Sequence, residues 1–121
     1  MSIPAYFAAY GEEAFRDRES RVIARLSSGV NGVVMATGGG AILRKENVDW
    51  LKANGRLFWL NRSLDNLIPT ADRPLSSDRA ALERRYTERY PIYQQVCDVP
   101  VDGNSSVETV AATVRRRFAE D

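Results

Sequence analysis

Three short apolar runs set the strongest limit on how this chain can fold. They are VVMAT at 33–37, RLFWL at 56–60 and DVPVD at 98–102, separated by stretches long enough for helices. β-rich apolar runs of this length, alternating with helical periodicity, predict a parallel α/β sheet with right-handed crossovers. The helical stretches carry their own signals. Phe7, Tyr10, Ala14 and Phe15, then Val22, Ile23 and Leu26, return at three- and four-residue steps. Ile3 and Pro4 form a short extended or turn entry, and Gly11 divides this region into a short helix and a longer one starting near Glu12. A helix is predicted over 46–53, closed by Asn54 and Gly55. SLDNL reads as a short helix capped by Ser63 and stopped by Pro69. A long helix runs from Ser77 or Asp78, with Pro91 kinking or splitting it. A last amphipathic helix is capped by Ser105 or Ser106 and carries Val107, Val110, Val114 and Phe118 on one face. The 121 residues are expected to form a single domain. Only three strands are visible, and a sheet that opens with a helix lacks its first strand.

Composition narrows function mainly by exclusion. A net charge of +1 argues against a nucleic-acid or membrane-surface partner. With one cysteine, Cys97, and no histidine, the chain has no internal disulfide framework and no basis for a His-based triad or a zinc site. No apolar run approaches the roughly 20 residues of a membrane-spanning helix. The N-terminal stretch has no signal-peptide pattern, and a cytoplasmic location is expected.

VVMAT delivers Gly38, Gly39 and Gly40 to the edge where ligands bind in open parallel sheets. Glycine permits positive φ and lets a ligand approach main-chain N–H groups closely. The run can form an anion- or hydroxyl-binding backbone nest or a tight strand-to-helix turn, and three glycines together favour the nest. Arg16 and Glu19, three apart on a helix, are either an ion pair or a solvated face. Arg73 sits in a polar loop before a proline, as a surface arginine or as one able to close over a phosphate. Arg89 lies in ERYPIY, with a helix-end role as its plain alternative.

Taken in order, GEEAFRDRE, ATGGGAIL, RLFWL, DRPLS, ERYPIY and CDVPVD resemble shikimate kinase, a small P-loop kinase of the nucleoside monophosphate kinase-like fold, over essentially the whole chain. The resemblance implies a three-layer parallel sheet with flanking helices. It implies ATP-dependent phosphorylation of the shikimate 3-hydroxyl in the chorismate pathway, with ATP and Mg2+ as cofactors. By the same resemblance, Arg16 and Arg89 bind the shikimate carboxylate, and Gly38, Gly39 and Gly40 contact shikimate through their backbone. Glu19 orients the site through Arg16. Arg73 acts as the lid arginine that contacts the ATP phosphates and the transferring group.

The match also has gaps. No G-x-x-x-x-G-K-[ST] loop occurs in these residues. The family's early aspartates, one near magnesium and one on the shikimate hydroxyls, belong to a segment that precedes Ile3 in full-length members. NLIPTADRP and DGNSSVE lack the arginines that many members direct to adenine. The chain alone is therefore expected to bind shikimate without efficient catalysis. The alternatives are a non-catalytic remnant that keeps the substrate pocket, and a P-loop kinase for another polyol acid such as gluconate. The missing first strand leaves an open sheet edge, expected to be filled by a second copy, by strand exchange or by a rearranged fold.

Overall fold

The computed structural model describes residues 2–29, 31–64 and 79–120. They group into two compact units, Met1–Gly55 and Arg56–Asp121.

The first unit holds α1 (Ile3–Tyr10), α2 (Glu12–Gly29), a 3-10 turn (Ala41–Leu43) and α3 (Lys45–Ala53). Ser2 caps α1, its Oγ accepting from Ala5 N at 3.2 Å. Pro4 falls in the first turn, where a missing N–H costs nothing. Gly11 ends the helix at φ 88° and ψ 166°, a conformation that essentially only glycine adopts, and its N–H donates to Phe7 O at 2.9 Å. Phe15 N then donates to Gly11 O at 3.3 Å, so one residue closes α1 and opens α2. Aromatic packing holds the two helices together, with Phe7 and Phe15 centroids 4.9 Å apart and Tyr6 and Phe15 centroids 6.2 Å apart. The unit's core is Ile23 of α2, Ala41 and Ile42 of the 3-10 turn, and Val48 of α3.

The second unit contains β1 (Phe58–Asn61), α4 (Arg79–Val96), β2 (Val99–Asp102) and α5 (Val107–Glu120). β1 and β2 pair in parallel, with Phe58 opposite Val99 and Asn61 opposite Asp102. Gly103 N extends the ladder to Asn61 O at 2.8 Å. Tyr86, Tyr90 and Tyr93 recur along α4, and Trp59 of β1 meets Tyr90 edge-on at 5.0 Å and Tyr93 at 5.8 Å. Val99 and Val101 form the buried face of β2. Ser106 caps α5, accepting from Thr109 N at 3.2 Å.

The α/β class and most element positions agree with the sequence expectations, and four details differ. The extended or turn entry expected at Ile3 and Pro4 is instead the first turn of α1, where proline's fixed φ suits the helix. VVMAT is not a strand: among the described residues the sheet has two strands, and Val33 and Val34 are 58% and 99% exposed. A strand exists through its ladder partner, and this segment pairs with none of the described strands. Pro91 does not split its helix, because α4 runs through it as one element. The apolar face of α5 is only partly covered: Val110 and Val114 are half-buried, while Val107 and Phe118 are exposed. The SLDNL helix expected behind Ser63 lies mostly outside the described residues.

Candidate functional site

Four of the expected residues come together in the first unit. Arg16 and Glu19 lie one turn apart on α2, so their side chains share a face. Arg16 Nη1 donates to Glu19 Oε1 at 2.9 Å, and both side chains are mostly buried, at 16% and 14% exposure. Glu12 stands on the other side, its Oε1 at 3.6 Å from Arg16 Nη2. The Arg16 guanidinium also lies 5.4 Å from the Phe15 ring centroid. Three contacts on one planar group fix its orientation before any ligand arrives.

The glycine turn comes down on this guanidinium. A Cβ built on Gly40 would lie 2.6 Å from Arg16 Cζ and 2.8 Å from Nη1. One on Gly38 would lie 3.3 Å from Glu19 Oε2. Any side chain at Gly40 would therefore occupy the space of the arginine. The sequence argument from positive φ is corrected here. Gly40 has φ −89°, and among the described residues the positive-φ glycines are Gly11 and Gly32. Glycine at position 40 is needed for close approach, not for a left-handed backbone. The turn is closed by Ala41 N donating to Gly38 O at 3.1 Å and by Leu43 N donating to Gly40 O at 3.2 Å. Gly38 and Gly39 are exposed and Gly40 is buried.

Two further residues hold this wall and were not singled out from the sequence. Arg44, directly after the 3-10 turn, reaches Glu13 Oε1 at 2.8 Å, Asp17 Oδ1 at 2.9 Å and Ser20 Oγ at 3.3 Å, with Glu46 at 3.8 Å. The hydrogen bond to Asp17, helped by the charges of Glu13, Asp17 and Glu46, raises the Arg44 pKa above the usual guanidinium value. Asn47 is buried in α3, and its Nδ2 donates to Ala41 O at 2.8 Å. A signal for Arg44 was present: Glu13, Asp17 and Ser20 recur at helical spacing on one face of α2, which calls for a cation opposite. Below the turn, Phe15, Glu19, Val22, Ile23 and Gly38 help line a cleft of about 320 Å³ with a largely apolar wall.

Arg89 lies in the second unit, half-buried on α4 between Tyr86 and Tyr90. Arg73 lies outside the described residues. What the first unit offers chemically is an oriented guanidinium beside exposed main-chain amides, which suits a small carboxylate that also carries hydroxyl groups.

Comparison with known proteins agrees with this chemistry. The family model for shikimate kinase matches residues 1–119. The chain is 41% identical over 122 residues to a shikimate kinase of Cupriavidus pinatubonensis, covering 94% of this chain and 63% of that protein. It is 38% identical over 122 residues to one of Thiobacillus denitrificans, covering 95% and 65% respectively. A solved shikimate kinase from Acinetobacter baumannii, in complex with shikimate, superposes with a TM-score of 0.85 at 26% identity, covering 99% of this chain and 72% of that one. The chain thus spans less than two thirds of the length of these two sequence relatives, and its α/β fold is that of a P-loop kinase. With nearly every residue inside the family match and the glycine turn seated on Arg16, the chain belongs to the shikimate kinase family.

Proposed function

We propose that this chain is the shikimate-recognition, lid and C-terminal part of a shikimate kinase, and that it binds shikimate through Arg16 and the 38–40 turn. The observation that carries this reading is the seating of Gly40 on the Arg16 guanidinium. The carboxylate of the substrate takes the free donors of Arg16, while Glu19 keeps the guanidinium in plane. Arg89 is assigned to carboxylate binding on the family resemblance alone, and the amides of Gly38, Gly39 and Gly40 serve the ring hydroxyls. A guanidinium paired with a carboxylate in bidentate fashion fixes a small anionic polyol in one orientation, and orientation supplies much of the rate in phosphoryl transfer. Arg73 is the lid arginine for the phosphates.

ATP with Mg2+ supplies the transferred phosphoryl group in this family. The residues of this chain do not fit that role by themselves. They contain no G-x-x-x-x-G-K-[ST], and among the described residues no three acidic, His or Cys side chains are grouped to hold a metal. Substrate recognition is therefore assigned to this chain, and no phosphate or metal step is derived from it.

Calorimetric titration with shikimate tests the assignment. Removal of one charge-assisted pair costs about 1.5–3 kcal/mol, so Arg16→Ala and Arg89→Ala should each weaken binding roughly 10- to 100-fold. Affinity equal to that of the unaltered chain would remove the altered residue from the site. In a coupled assay with ATP and shikimate, the 121-residue chain is expected to give no measurable turnover. Turnover would overturn the restriction to binding.

A further inference from the structure

We propose that Asn47 is a positioning residue for the substrate wall, setting the 38–40 turn at its distance from Arg16. This rests on the proposed role of that turn in binding shikimate. Asn47 is the polar residue that is fully buried among those described, at 1% exposure, with buried Val48 next to it in the chain and buried Ala41 bonded to its side chain. A polar side chain in such a core lowers stability unless its hydrogen bonds are made. Among the described residues they are only partly made: Nδ2 donates to Ala41 O at 2.8 Å, while Oδ1 finds no partner. A leucine of similar size would bring no unmet amide into the core, but it would leave the buried Ala41 carbonyl without its donor. What it could not supply is the fixed direction of the Ala41 carbonyl.

That direction reaches the site through one peptide. Ala41 is completely buried and tied at both ends, its N–H to Gly38 O at 3.1 Å and its carbonyl to Asn47. The three glycines are therefore held between α3 and Arg16. Gly40 has no slack on the arginine side, where even a methyl group would overlap Cζ. Releasing the Ala41 carbonyl lets the turn swing, and the main-chain amides at 38–40 lose their register with the guanidinium.

Asn47→Leu separates this role from a purely structural one. The thermal midpoint should fall, because the buried Ala41 carbonyl loses its donor, and in the folded protein the backbone amide cross-peaks of Gly38, Gly39 and Gly40 should move and shikimate affinity should fall by about tenfold or more. A purely structural residue would give the lowered midpoint alone, with unmoved glycine cross-peaks and undiminished affinity in the folded protein. Either unmoved glycine cross-peaks or unchanged affinity overturns the proposal. The unaltered chain gives an independent reading that needs no variant to fold. Saturating shikimate should shift the Asn47 side-chain amide and Ala41 N–H resonances, and their failure to move would also overturn it. Absence of saturable shikimate binding by the unaltered chain would instead overturn the substrate role of the whole turn. Normal binding that survives Asn47→Leu would overturn the role of Asn47 alone.

Discussion

A methyl group at Gly40 would come within 2.6 Å of Arg16 Cζ, whereas one at Gly38 would meet only the flexible end of Glu19 at 3.3 Å. Neighbouring glycines should therefore respond differently to the same change. Gly40→Ala is expected to displace the end of Arg16, to cost about 1 kcal/mol through its disturbed bond to Glu19, and to weaken shikimate binding roughly 10- to 100-fold, as Arg16→Ala does. Gly38→Ala should cost under about 1 kcal/mol and leave binding detectable. Denaturant midpoints and calorimetry on the two variants check the contrast, and equal effects would contradict it. Gly11 is a different case. It meets no neighbour, but its φ of 88° penalises any side chain, so Gly11→Ala should cost about 1–3 kcal/mol with unchanged shikimate affinity in the folded protein. The sequence makes such residues conspicuous without saying why they are glycine. Three glycines in a row marked a close backbone approach, yet the reason at position 40 is an arginine that lies 24 residues earlier in the chain.

Helices were the most legible elements, because their signals are local. Gly11, the cap at Ser106 and the Asn54-Gly55 stop all act within a few residues of the ends they set. VVMAT was misjudged because a strand depends on a neighbour that propensity cannot see: Val34 has the residue type of a buried strand and is 99% exposed. Arg44 and Asn47 were missed for a related reason, since each acts on chain segments that only folding brings near. The Arg44 cluster joins α3 to α2 through carboxylates that are largely exposed, so salt should screen it. Arg44→Met is expected to lower the thermal midpoint at low ionic strength, with the difference from the unaltered chain shrinking steadily as salt is raised. A difference independent of salt would show that packing of the arginine stem, not charge, ties these helices together.

For the whole molecule, the family assignment rests on a match that runs through almost all of the chain, while the chain spans less than two thirds of its two sequence relatives quoted above. Among the described residues the segment from Asn31 to Thr37 pairs with no strand, and it exposes Val33 and Val34. We propose that a second copy or an exchanged strand covers it, in which case light scattering should show concentration-dependent association that Val34→Lys weakens. A monomer at all concentrations would contradict this. The central claim is that the Arg16 and glycine wall recognises a carboxylated polyol. Titrating the unaltered chain with shikimate and then with its methyl ester tests it most directly, because esterification removes the charge that Arg16 is placed to meet and leaves the ring hydroxyls unchanged. Saturable binding of shikimate, weakened about tenfold or more in the ester, is the expected result. Equal affinity for acid and ester would contradict the account.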